Sequence, residues 1–186
     1  MKIHRIIVLT LLAILAGCSV WQRVDRAHTE APDHSYSVEL PLGWMRFAPD
    51  SDGIDLTRDG FGLNRIEINR RALDKAFPYL KKGADPAMLP SELAEMQIAE
   101  AKSAERELLI TVKDNAPALL DGKAAYRLHL MHKNDRGLAF DRVIYGLVTS
   151  KGYFTLSFTA PALHYSARDL PAFEKAVDSF KLTSRQ

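Results

Sequence analysis

Apolar and polar positions alternate in short runs along most of this chain, the period of half-buried β-strands. Tyr36, Val38 and Leu40 alternate with Ser37 and Glu39, and Pro41 and Gly43 close that run, with Trp44 and Phe47 as large core candidates behind it. Asp59-Gly60 is a strong hairpin signal; it joins a strand over 54–58 to a partner over 63–70, with Ile66 and Ile68 inward. Later runs predict strands over 108–112, 123–133 and 138–149, the last two joined by the turn Asn134-Asp135-Arg136-Gly137. Tyr126, Leu128 and Leu130 share one face of the 123–133 strand. The 138–149 strand is apolar on both faces: Phe140, Ile144 and Val148 on one, Val143, Tyr145 and Leu147 on the other. Such a strand belongs inside a sheet covered on both sides. After Ser150-Lys151-Gly152 a further strand over 153–160 turns Phe154, Leu156 and Phe158 the same way.

Two stretches change period. Pro90-Ser91 opens a helix over 91–107, rich in alanine and glutamate, with a modest stripe of Ala94, Ile98, Ala101 and Leu108. Asp169 is a good N-cap for a helix to Phe180, where Phe173, Val177 and Phe180 form one stripe. Between the strands and the first helix, 71–90 is irregular. A short helix over 73–82 would hold Pro78 inside it and lose a backbone bond. Long irregular stretches in compact domains tend to be functional, so 71–90 is the first candidate for a binding surface.

The N-terminus has a different pattern. Lys2 and Arg5 precede an apolar run from Ile6 to Ala16, broken by Thr10 alone, and then Leu15-Ala16-Gly17-Cys18. A positive start, a short apolar run and small residues make a secretory signal, and the run is well short of the roughly 20 residues that span a bilayer. Leu-Ala-Gly-Cys resembles the lipobox of bacterial lipoproteins at all four positions. The resemblance implies a diacylglycerol on the Cys18 sulfur, cleavage before Cys18 and acylation of the new amino group. The domain plan is then a signal peptide over 1–17, a lipidated cysteine and flexible tether over 18–34, and one folded domain over 35–186. Ser19, in place of the aspartate that holds lipoproteins in the inner membrane, favours the outer membrane, facing the periplasm.

Removing residues 1–17 also changes the composition. The formal charge of +2 includes Lys2 and Arg5, so the mature chain carries 2 − 2 = 0. That balance, with no basic run, excludes an electrostatic nucleic-acid footprint, and leaves anchoring to acyl chains, each buried CH₂ contributing about 0.8 kcal/mol. Cys18 is the sole cysteine, so no disulfide is expected and packing must stabilise the fold. Trp21, three residues from Cys18, either sits at the headgroup level or is an incidental apolar residue of the tether.

The run Tyr36-Ser37-Val38-Glu39-Leu40-Pro41 with Gly43-Trp44, then Asp121-Gly122-Lys123-Ala124-Ala125-Tyr126, and the closing 173–180 segment resemble the PsbP-like superfamily. That group includes an extrinsic photosystem subunit, a Ran-binding import factor and DcrB-type lipoproteins. The resemblance implies an α+β domain, an antiparallel sheet with helices packed on both faces. Its signals are core and turn residues, and they transfer no functional residue.

Catalytic spacing is not found. His129 and His132, three apart on a strand, point to opposite faces and argue against a joint metal site. His28, His34 and His164 show no ligand spacing. Asp50, Asp52 and Asp55 fail the calcium-loop template, with Ile54 at a ligand position and Phe61 where glutamate belongs. Gly60-Phe61-Gly62 lacks the third glycine of a dinucleotide loop. Asp141 and Arg142 interrupt an apolar strand, either as a structural ion pair or as the lining of a site between sheet and helix. Glu95, Lys102, Glu105 and Arg106 give the 91–107 helix a charged outer face, solvated or partner-binding. The sequence thus predicts a noncatalytic binding or scaffolding lipoprotein, held in the membrane by acylated Cys18, with an envelope protein as partner and no cofactor, metal or nucleic acid. A small-ligand or lipid carrier with a pocket between sheet and helix is the alternative, and an envelope enzyme is the third reading.

Overall fold

The alternating runs form two antiparallel sheets in a computed structural model that describes residues 20–47, 53–104 and 109–183. The strands are β1 (Trp21–Arg23), β2 (His28–Glu30), β3 (Tyr36–Glu39), β4 (Met45–Phe47), β5 (Gly53–Thr57), β6 (Arg65–Arg71), β7 (Thr111–Leu120), β8 (Lys123–Lys133), β9 (Ala139–Thr149), β10 (Gly152–Pro161) and β11 (Lys181–Leu182). The helices are α1 (Pro90–Ala104) and α2 (Ala167–Ser179). The large sheet has the order β1-β4-β5-β6-β10-β9-β8-β7, and the small one β11-β3-β2. This is the expected α+β fold, with helices on both faces of an antiparallel sheet.

The path of the chain explains the order. After β6, residues 72–89 and α1 cross one face of the sheet and deliver the chain to β7 at the far edge. The meander β7 to β10 then returns until β10 joins β6, with Leu156 opposite Ile68 and Phe158 opposite Ile66. Because alternate residues face opposite ways, those four side chains lie in one core with Ile54, Leu56, Val143, Tyr145 and Leu147. Phe173, Val177 and Phe180 of the α2 end and Tyr36 and Val38 of the small sheet cover it. On the opposite face Leu93, Ala94, Ile98 and Ala101 of α1 pack on Tyr126, Leu128, Leu130 and Ile144. Each large apolar side chain so buried contributes about 1.5–3 kcal/mol. Strand β9 has both cores against it, as its two apolar faces predict.

Four expectations are corrected. The described part of the expected tether, residues 20–34, holds two strands: β1 pairs with β4 and β2 with β3, while Val24 and Ala31 enter the core. Its polar side chains hid the strands because β1 is an exposed edge, held by backbone pairing rather than by burial. The strand expected over 108–112 is the far longer β7, which continues through Asp114, Asn115 and Pro117. As the outermost strand it tolerates a proline and shows a register shift between Val112 and Asp114. The possible helix over 73–82 is one 3₁₀ turn, Leu73–Lys75, followed by a bridge from Phe77 to Lys82. Finally, Asp169 lies inside α2 rather than capping it, and it is buried. It accepts hydrogen bonds from Arg58 at 3.1 Å, Asn64 at 3.0 Å and Arg168 Nε at 2.9 Å, tying the β5–β6 turn to the helix.

A polar cleft beside helix α1

Strand β6 reads Arg65-Ile66-Glu67-Ile68-Asn69-Arg70-Arg71, so the alternation that buries the isoleucines sends Arg65, Glu67, Asn69 and Arg71 to the α1 face. One lateral row crosses that face: Trp21, Phe47, Asp55, Glu67, Ser157, Ile144, Leu128 and Asn115 are successive cross-strand partners. The row is aromatic at one end, polar in the middle and apolar under the helix. Helix α1 packs on β7, β8 and β9. Beside it a cavity of about 250 Å³ lies open, lined by Arg65, Glu67, Arg71, Arg142, Glu100 and Tyr79 among others.

Each charged group there has a defined setting. Arg65 bonds Asp55 at 3.2 Å and Glu67 at 3.1 Å, and its buried Nε has no hydrogen-bond partner among the described residues. Arg142 Nε donates to Thr159 at 3.2 Å, and Arg71 to the Ala76 carbonyl at 3.1 Å. Glu100 receives the backbone N–H groups of Tyr79 and Leu80, each at 3.0 Å, and so holds the 76–82 segment against α1. Burial pushes the Glu67 carboxyl up despite the opposing Arg65 guanidinium. Beneath the helix, Tyr126 donates to the Tyr153 hydroxyl, which donates to Gln97 Oε1 at 2.9 Å. Burial raises both phenols, so the chain of hydroxyls stays neutral. Three guanidinium groups face two carboxylates, one of them already occupied by backbone N–H groups. That balance suits a carboxylate or phosphate ligand. The described residues lining the cavity include no histidine or cysteine.

The candidates read from sequence are scattered. Arg142 lines the cleft, and Tyr79 brings the 71–90 segment to its rim, anchored by buried Phe77 whose ring centroid is 5.0 Å from that of Tyr153. Asp141 instead pairs with His129 at 2.9 Å on the α2 side of the sheet. His132, on the α1 side, stacks on Phe140 at 5.3 Å. His34 bonds Glu30 at 2.9 Å, His164 lies edge-on to Tyr165, and His28 is exposed in β2. Among the described residues no group of three metal-ligating side chains forms. Asp55 is held by Arg65, and Phe61 of the Gly60-Phe61-Gly62 turn contacts Trp21 and Phe47. Cys18, Asp50, Asp52, Glu105, Arg106 and Leu108 lie outside the described residues. The sequence reading missed Arg65 and Glu67, and included Arg71 only as the first residue of the 71–90 segment. Their signal was charge at every second position of a strand otherwise built for a sheet interior.

No family model matches the chain, and no curated protein is found as a relative. Solved structures do match. The cyanobacterial PsbP protein CyanoP of Synechocystis sp. PCC 6803 aligns at TM-score 0.60 and 12% identity, over 90% of this chain and 95% of its own. The Ran-binding protein Mog1p of Saccharomyces cerevisiae aligns at TM-score 0.54 and 11% identity, over 85% and 95%. LpqN of Mycobacterium tuberculosis, a protein involved in cell envelope biogenesis, aligns at 0.50 and 17%, over 89% and 92%. At these identities the likeness shows the fold, a PsbP- and Mog1-like α+β domain, and fold alone does not carry function. No described helix is long and apolar enough to cross a membrane.

Proposed function

We propose that this protein is a lipid-anchored, noncatalytic module of the cell envelope that binds an acidic envelope component in the cleft beside α1. The observation that supports it is the gathering of Arg65, Arg71 and Arg142 around an open cavity on a sheet face whose other half is covered. Charged groups gathered in a cleft, one of them with its carboxyl pushed up by burial, mark a candidate binding site. Residues 15–18 supply the anchor: acylated Cys18 holds the domain in the membrane, in the outer membrane facing the periplasm. The envelope role of LpqN, a neighbour in fold, agrees with this setting.

The polar lining speaks against the lipid half of the carrier reading, because an acyl chain gains nothing from a cavity lined by guanidinium and carboxylate groups. The His129–Asp141 pair stands on the sheet face opposite the cleft and adds no acid–base group to it. The test is crosslinking in intact cells followed by identification of adducts. Wild type should give one dominant protein adduct, lost in an Arg65→Ser, Arg142→Ser double variant and retained when Lys175 on α2 is changed to Ser. An adduct indifferent to the arginines would overturn the cleft as the binding site. Mass spectrometry of the membrane-bound chain tests the anchor, which Cys18→Ser should abolish.

A further inference from the structure

The first described strand, β1, starts at Trp21, three residues after Cys18 in the sequence. Three residues reach at most about 10–11 Å even when fully extended. Trp21 is not on a loose strap: it pairs with Phe47 across the β1–β4 ladder. Its ring lies 5.1 Å from that of Phe47 and 5.0 Å from that of Phe61, and the last two are 5.9 Å apart. Trp21 and Phe61 are each 37% exposed and Val20 48%, so an aromatic cluster stands open at the sheet edge formed by β1. Arg65 lies 4.8 Å over the Phe61 ring, a cation at the border of the cluster.

We infer that the domain rests on the phospholipid surface through the Trp21–Phe47–Phe61 edge, rather than hanging from the membrane on a tether. This rests on the proposed acylation of Cys18. With acyl chains in the bilayer, the short link leaves Trp21 within about 11 Å of the attachment point. Tryptophan and phenylalanine beside a basic group suit the headgroup region, where an apolar ring and a polar edge are both satisfied. The placement also sets the cleft at a fixed height, since Arg65 belongs to both the aromatic edge and the cavity lining.

The chain has two tryptophans, and Trp44 is buried at 4% exposure, so fluorescence reads Trp21 separately. The protein recovered from membranes would be reconstituted into phosphatidylethanolamine–phosphatidylglycerol vesicles containing phosphatidylcholine brominated high on its acyl chains. Its mass reads acylation independently. With acyl chains present, the inference expects loss of about half the emission, one tryptophan of two, and no loss in Trp21→Phe. Acylated wild type that co-floats with the vesicles but is not quenched would overturn the inference while leaving the anchor standing. A mass without acyl chains would overturn the anchor, and the inference with it.

Discussion

The Tyr126 ring occupies the space that any side chain at its cross-strand partner Gly146 would need. The two residues pair between β8 and β9, and a Cβ at position 146 would stand 2.6 Å from Tyr126 Cε1. Tyr126 cannot swing away cheaply, because its buried hydroxyl is bonded to Tyr153. Gly146→Ala is therefore expected to destabilise the protein by about 2 kcal/mol, the usual cost of overfilling a packed core. A lower urea midpoint at unchanged slope checks it; an unchanged midpoint would show that the core under α1 yields.

A second prediction concerns Asp169. It is buried, and it holds Arg58, Asn64 and Arg168 together. Asn64 in turn bonds Asp59 at 2.8 Å and accepts from Arg58 N at 2.7 Å, which fixes the turn that presents Phe61. Removing one partner of a buried charged network costs about 3–5 kcal/mol; with Arg58 half exposed, the lower end is expected. Asp169→Ala should lose about 3 kcal/mol in urea unfolding and open the 57–64 turn to limited proteolysis. Full stability with a protected turn would refute the clasp.

Glu67 gives a pH-dependent prediction. Burial holds its carboxyl above the ordinary glutamate range, so the folded chain binds more protons than the unfolded one between the two values. Stability then falls as pH rises from about 4.3, the unfolded value, through the raised folded value, and the loss is complete above it. Glu67→Gln should raise Tm at pH 7 and change it little near pH 3.5. The exchange also forfeits the 3.1 Å pair with Arg65, so a lower Tm at pH 7 would mean that this attraction outweighs burial.

Much of the fold was legible because it follows from alternation. Ile66 and Ile68, Phe154 to Phe158, and the two-faced 138–149 run each announced their strand and its burial. The edges were not legible. Strand β1 buries none of its three side chains, and β7 runs past the predicted 108–112 stretch through Asn115 and Pro117, so β1 and the rest of β7 are defined by backbone pairing to a neighbour rather than by a pattern of their own. Asp169 looked like a cap because an acid before an apolar stripe usually is one; its partners Arg58 and Asn64 are remote in sequence. The cleft was half legible. Arg142 and the 71–90 segment, Arg71 included, stood out, whereas Arg65 and Glu67 become part of a site only when α1 stops short of β6.

The most direct test of the central claim, that partners bind on the α1 side, is site-specific photocrosslinking in intact cells. A photoreactive phenylalanine analogue replaces Tyr79, 62% exposed at the rim of the cleft, or in a second strain Lys175, exposed on α2. The account predicts a discrete protein adduct from position 79 and none from 175. An adduct from 175 with none from 79 would contradict it, and would move the binding surface to the other face of the sheet.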